Sequence, residues 1–214
     1  MNRAQLRAII SDNQHDNGLT FFEAADINNT LQDAYNDISV RSQQIIKSVT
    51  LNWLSQVNYY DFLSGNSGSN TAITDYLGTI AIFNNVTNQW LRDDISIRDY
   101  DRLRRDWEIW RGMPQFWTPH SLRYIAVAPC LQVGVGTFKL FYWASAPAFT
   151  SDNDTPLVSA DMQTLFEQFG TADTFESSAE IVKAQPFWTT YFKRQLEYKE
   201  RCRRLCKADI LQRI

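Results

Sequence analysis

The chain has 214 residues, 44% apolar, 21% charged and 14% aromatic, with a formal net charge of −3. Seven Trp, nine Tyr and thirteen Phe exclude a disordered chain, and the low Gly and Pro content excludes collagen-like or low-complexity structure. Two His (His15, His120) and three Cys (Cys130, Cys202, Cys206) leave little for metal or nucleophile chemistry, so the inventory suits a protein that holds rather than transforms.

The first ten residues lack the apolar stretch of a secretory signal, and no window approaches the length needed to span a bilayer. With an odd number of cysteines, these features predict a soluble protein made in a cytoplasm with reduced thiols. Residues 3–10 read as a short helix, followed by a turn at His15-Asp16-Asn17-Gly18. Thr20 and Glu23 have capping-box spacing. Beyond them Ala24, Ile27, Leu31, Tyr35, Ile38 and Ile45 fall on one helical stripe. The pattern predicts a single amphipathic helix over 20–46.

The period then changes from helical to alternating. Val49, Leu51, Trp53 and Val57 alternate with Thr50, Asn52, Leu54 and Gln56, which predicts a strand within 48–63. Residues 64–71 are Gly/Ser/Asn-rich with no apolar anchor, which predicts a mobile loop. A strand at 76–86 and a turn before Trp90 follow. Residues 92–111 hold six Arg and six acidic residues, with Ile97, Tyr100, Leu103, Trp107 and Trp110 at helical spacing. That predicts a helix over 97–110, ended by Gly112 and Pro114. Strands at 122–128 and 137–145 are predicted to pair as a hairpin through Gly134-Val135-Gly136, with Phe138, Leu140 and Tyr142 on one face. After a turn at 151–156 the remainder reads as helices over 159–169, 172–184 and 187–210, punctuated by Gly170 and Pro186.

Strands that run together rather than alternating with helices predict an α+β fold. The expected architecture is a bundle of N- and C-terminal helices with a smaller β lobe inserted in the middle. Its sub-regions are 1–47, 48–147 and 148–214 of one 214-residue domain.

Cys202 and Cys206 share a helix face, but a zinc site needs about four ligands, so a packed stripe with Trp188, Tyr191, Tyr198 and Leu205 is the better reading. No nucleophile elbow, zincin or phosphate-loop motif is present, and His120 beside Pro119 reads as a turn residue. No catalytic residue, metal or cofactor is expected. Charge is uneven along the C-terminal third: 140–186 hold one Lys and seven acidic residues, whereas 187–214 hold eight Lys/Arg and three acidic residues. The basic tail ends in Ile210, Leu211 and Ile214, which suits docking on a protein groove better than a solvated helix end or a phosphate backbone.

A composite pattern occupies the middle of the chain. It comprises Ile97-Arg98-Asp99-Tyr100-Asp101, Gly112-Met113-Pro114-Gln115-Phe116-Trp117, Ile125-Ala126-Val127-Ala128-Pro129 and Lys139-Leu140-Phe141-Tyr142-Trp143, then an acidic turn from Asp152 to Pro156. In this order, over about residues 20–200, it resembles the head-to-tail adaptor (neck, or tail tubular A-like) proteins of short-tailed bacteriophages. The chain departs from the commoner forms in its 64–71 loop, its charge at 92–111 and the break at Pro186-Phe187-Trp188.

The resemblance implies a structural virion protein, made in the host cytoplasm and placed in the neck. It would form a dodecameric ring that binds the portal, receives the tail nozzle and closes the DNA-filled head. Genomic DNA would pass through its lumen without sequence-specific contact, and residues 152–180 are candidates for an acidic lining. Another virion component (head-completion or nozzle protein) and a carbohydrate-binding module are the alternatives. Portal docking is assigned to Arg201, Arg203, Arg204, Lys207, Ile210, Leu211 and Ile214. Inter-subunit pairing is assigned to Arg98, Asp101, Arg102, Arg104, Arg105, Asp106 and Glu108, and a tail-facing loop to Asn66, Ser67, Ser69 and Asn70.

Overall fold

The computed structural model describes residues 1–16, 21–94, 96–121, 123–133 and 136–212; the side chains of 67, 68, 97, 103, 202, 203 and 205–212 are outside that description. The chain is α+β, with helices and, among the described residues, two antiparallel sheets, and divides into two compact units. The first unit comprises 1–45 and 145–214, and the second comprises 46–144.

The first unit is helical. Helix α1 (Arg3–Asn13) is closed at its start by a capping box in which Asn2 accepts from the Gln5 N–H at 2.9 Å. Helix α2 (Ala24–Ser42) is shorter at both ends than the predicted 20–46. Its N-cap is Glu23, the residue expected three positions inside the helix, and Thr20 lies outside the described residues. The chain ahead of it is held by Asp16, whose carboxylate accepts from the Phe21 and Phe22 N–H groups at 3.1 and 2.9 Å. At the other end Gln43 adopts left-handed φ 55°, which closes the helix. The predicted stripe is the buried one: Ile27, Leu31, Tyr35 and Ile38 have essentially no exposure.

Helices α5 (Gln163–Ser177) and α6 (Ile181–Gln212) replace the three predicted segments. Gly170 does not end a helix. It sits inside α5 where a Cβ would stand 2.2 Å from Ile10 Cδ1 and 2.9 Å from Ile10 Cγ1, so it permits close approach of α1. Pro186 does not end one either. It occupies the second turn of α6, and the carbonyl it leaves without an N–H partner belongs to Val182, which is 85% exposed and open to water. The break falls instead at 178–180, where Ala179 takes φ 62°.

Gly170→Ala is expected to destabilise. Ile10 is fully buried and has no room to swing away, so overpacking of about 1–3 kcal/mol outweighs the roughly 1 kcal/mol gained in helix propensity. A denaturant titration showing the variant as stable as its parent would contradict this packing.

The second unit holds both sheets. One has the order β1-β7-β3-β4, from β1 (Ile46–Asn52), β7 (Thr137–Ala144), β3 (Tyr76–Asn84) and β4 (Gln89–Trp90). The other has the order β2-β6-β5, from β2 (Tyr59–Asp61), β6 (Tyr124–Ala128) and β5 (Phe116–Pro119). The predicted hairpin between the strands near 122–128 and 137–145 is therefore absent. Those strands lie in different sheets, and Gly134 and Val135 are outside the described residues. Their burial explains the separation. Ile125 to Ala128 are buried without interruption, as in a strand covered on both faces, whereas Phe138, Leu140 and Tyr142 alternate with half-buried residues as predicted. The single strand predicted within 48–63 is likewise two, β1 and β2, one in each sheet.

The predicted 97–110 helix ends early. Helix α4 (Ile97–Leu103) starts on a Ser96–Asp99 capping box and stops where Arg104 becomes extended, followed by a 3-10 turn at Trp107–Ile109. In an unbroken helix Tyr100 and Trp107 would be separated by about 10 Å along the axis. The break lets their rings stack at 5.3 Å and pack with Ala126 and Ala128 as a small core.

Candidate assembly surfaces

Three segments carry the residues singled out from the sequence. In the first, 92–111, most of the charges are used locally. Arg104 pairs with Asp106 at 2.8 Å and covers the Trp110 ring at 4.7 Å. Asp101 accepts from the Trp107 indole at 2.8 Å, and Glu108 accepts from the Tyr59 hydroxyl at 2.7 Å. Burial, reinforced by Glu108, pushes that hydroxyl up to about 12. The Arg104 guanidinium holds the Asp106 carboxyl below the usual carboxylate range. Arg102 approaches Asp99 only to 4.0 Å, and among the described residues Arg98 and Arg105 make no ion pair. The sequence shows the balance of charge here but not the pairing, which depends on Arg104 leaving the helix.

The second segment is 64–70. It has no apolar anchor, as its composition indicates, yet it is tied down by polar side chains and contains one helical turn, α3 (Gly65–Gly68). Asn66 accepts from the Asp61 N–H at 2.8 Å, and Gly65 takes φ +62°. A Cβ on Gly65 would meet the Asn70 carbonyl oxygen at 2.1 Å. Asp61 is itself engaged by Arg123 and Ser64, and chiefly the Arg123 guanidinium holds its carboxyl far below the ordinary range. Asn70 is only 9% exposed, with its side-chain amide bound to the main chain of Asn52. Ser69 is exposed, and the Ser67 side chain lies outside the description. A cleft of about 550 Å³ lies here, lined by both apolar and polar side chains, among them Leu54, Val57, Asp61, Asn66 and Tyr124.

The third segment is α6. Its buried side is organised by Tyr191, whose hydroxyl donates to Asp37 at 2.5 Å and accepts from Gln195 at 3.0 Å. Farther along, the Tyr198 hydroxyl donates to the Asp161 carbonyl at 2.8 Å, and Arg201 pairs with the Asp161 carboxylate at 3.2 Å. Arg201 makes the last described contact of α6 with another element; Arg204 pairs within the helix, with Glu200. The side chains of Arg203, Lys207, Ile210 and Leu211, and the whole of Ile214, lie outside the described residues.

The acidic 152–180 stretch is largely compensated. Asp152 binds both Arg3 and Arg7, which together lower its carboxyl, with Arg7 the larger influence. Asp154 is held low by the N–H groups of Ser151 and Thr150. Asp161, Asp173, Glu176 and Glu180 contact Arg201, Thr30, Trp188 and Lys183 respectively. Among the described residues no cluster of three or more His, Cys, Asp or Glu is placed to hold a metal ion, and no helix is long and apolar enough to cross a membrane. Cys130 is buried and accepts from the Arg111 guanidinium at 2.6 Å. The side chains of Cys202 and Cys206 lie outside the description. His120 packs its ring against Tyr59 at 5.1 Å.

Compared with known families, residues 1–204 match the model described as SU10 adaptor protein. No curated protein matches the chain. The chain belongs to the SU10 adaptor family, a phage head-to-tail adaptor family of structural proteins.

Proposed function

We propose that this adaptor is the ring subunit that joins the portal to the tail of a short-tailed phage and closes the DNA-filled head. In this reading the whole 214-residue chain acts as one structural unit in the virion neck, with no catalytic role and no cofactor, and assembles in the host cytoplasm. Its copies form a dodecameric ring whose lumen passes genomic DNA without reading its sequence. The tail nozzle binds on the side of the ring away from the portal.

The observation that carries the reading is the end of α6. The helix continues to Gln212, about 16 Å beyond Arg201 at the α-helical rise. The sequence over 187–214 holds eight Lys/Arg against three acidic residues and includes the apolar Ile210, Leu211 and Ile214. Portal docking is assigned to Arg201, Arg203, Arg204, Lys207, Ile210, Leu211 and Ile214. The two described ion pairs of this group are exposed and so cost little to exchange for a partner's carboxylates. Between subunits, Arg98 and Arg105 supply the uncommitted charge of the 92–111 segment, with Arg102 beside them. Asp101, Arg104, Asp106 and Glu108 shape that surface through their local pairs. Asn66, Ser67 and Ser69 form the tail-facing turn, which Asn70 holds in place.

Deleting 202–214 leaves the Arg201–Asp161 tie intact and removes no aromatic residue, so the near-ultraviolet circular dichroism that reports tertiary packing should be unaltered. Mass measurement with purified portal rings should then show the dodecameric layer formed by the full chain and none formed by the truncated chain. Full occupancy of portals by the truncated chain would overturn the assignment. Electron microscopy of particles lacking this protein should show leaking heads without tails.

A further inference from the structure

We propose that the outer edge of β1 receives an extended segment of a different virion protein, which adds to the four-stranded sheet as a fifth strand. The choice of partner rests on the adaptor reading; the open edge does not. Among the described residues β1 is the outer strand of its sheet, paired only with β7 over an unbroken seven-residue register.

Two contacts decide which of its main-chain groups face outward. The Trp53 N–H donates to the Gly136 carbonyl at 3.0 Å, toward the β7 side. The Asn70 side chain accepts from the Asn52 N–H at 2.8 Å and donates to the Asn52 carbonyl at 3.1 Å, on the opposite side. Peptide groups alternate in direction along a strand. The N–H and C=O of Thr50 and Ser48 therefore face outward with those of Asn52, and they have no partner among the described residues. Asn70 makes the paired bonds that one peptide of a neighbouring strand would make. It closes the last position of the edge and leaves the preceding ones open.

Exposed edges are ordinarily guarded by proline, by lysine, by a bulge or by short length. β1 has no proline and no bulge, and its one lysine, Lys47, is neutralised by Asp75 at 2.5 Å. The opposite edge of the sheet, β4, is only two residues long. Donor and acceptor pairs repeating every second residue are the complement of an extended main chain. The side chains of that chain would alternate between the exposed row of Ser48 and Thr50 and the half-buried Val49. Polar residues suit the first row and β-branched residues the second.

A second copy of this chain is the weaker fit. β7 is interior, β4 is two residues long, and β3, paired with β4 only at Phe83 and Asn84, carries register shifts between Tyr76 and Ala81, so the unbroken edge a copy could offer from this sheet is its own β1. Two identical edges meet about a two-fold axis, whereas subunits around a ring all share one orientation.

Amide hydrogen exchange over 46–52 tests this, comparing the purified chain with virions that contain it. Ser48 and Thr50 should exchange freely in the purified chain and about ten-fold or more slowly in virions. Ser48→Pro with Thr50→Pro removes two outward donors without touching the β7 ladder. If folded by circular dichroism, that chain should complement tailed-particle assembly about ten-fold less well than its parent; if it does not fold, the exchange comparison decides alone. Equal exchange in both states, or full complementation by the folded variant, overturns the proposal. Protection that appears on concentrating the purified chain assigns the edge to a second copy and also overturns it. Absence of the chain from virions defeats the adaptor reading as well, whereas presence with an unprotected β1 defeats this inference alone.

Discussion

Trp53→Ala should cost the β-containing unit about 3–5 kcal/mol, the range for removing a large buried aromatic side chain. Trp53 is 2% exposed and lies between the two sheets of that unit. Its ring stacks on Phe138 of β7 at 4.2 Å and meets Tyr60 of β2 edge-on at 5.7 Å. Truncation removes both contacts and opens a void between elements that the backbone cannot close. Trp53→Phe separates packing from polarity. It keeps an aromatic ring, and although it deletes the indole bond to Asn84 at 3.3 Å, the Asn84 oxygen still accepts from the Val86 N–H at 3.0 Å. Its cost should be about 1 kcal/mol for the lost hydrogen bond plus the smaller ring's lost packing. Denaturant unfolding monitored by near-ultraviolet circular dichroism measures both. A Trp53→Ala loss below about 1 kcal/mol would show that the two sheets do not depend on this ring.

In the helical unit the corresponding position is Tyr191, with 0% exposure and ring contacts to Phe169, Trp188 and Phe192. Tyr191→Ala should also cost about 3–5 kcal/mol, because it removes the ring and leaves Asp37 and Gln195 without their shared hydroxyl. Tyr191→Phe keeps the ring and should cost about 1–2 kcal/mol. Asp37 retains Arg41 at 2.7 Å and Gln195 at 3.3 Å, so its charge stays paired. Burial and the Asp37 carboxylate both raise the Tyr191 pKa, so the hydroxyl stays protonated and available as a donor across the pH range of a folded sample. Equal stability of Tyr191→Phe and Tyr191→Ala would mean that the hydroxyl, not the ring, joins α6 to α2.

Both positions were visible as aromatic residues in periodic segments, but their partners were not. Trp53 belongs to the alternation Val49, Leu51, Trp53, whereas Phe138 lies 85 residues away in the chain. Tyr191 lies on the stripe with Trp188 and Tyr198, while Asp37 looks like one more acid on the polar side of α2. Period identifies which residues turn inward, because burial is a property of one element's own face. It does not say which faces meet.

The same division runs through the proposed assembly surfaces. Local pattern was enough for the α+β class, for most elements, for the buried stripe of α2 and for the alternating face of β7. It was enough, too, for the ordered motifs that resemble the adaptor family and for the basic, apolar-ended C-terminus. These depend on residues close in sequence, where geometry follows from the chain's own periodicity. Tertiary structure decided the rest. It set β6 and β7 in different sheets, made Gly170 a point of close packing rather than a stop, and broke the 97–110 helix so that Tyr100 could stack on Trp107. It also brought Asn70 to the edge of β1, 18 residues back in the chain. Gly, Pro and Asn act through space they leave open or bonds they complete, and those depend on which distant atoms arrive beside them.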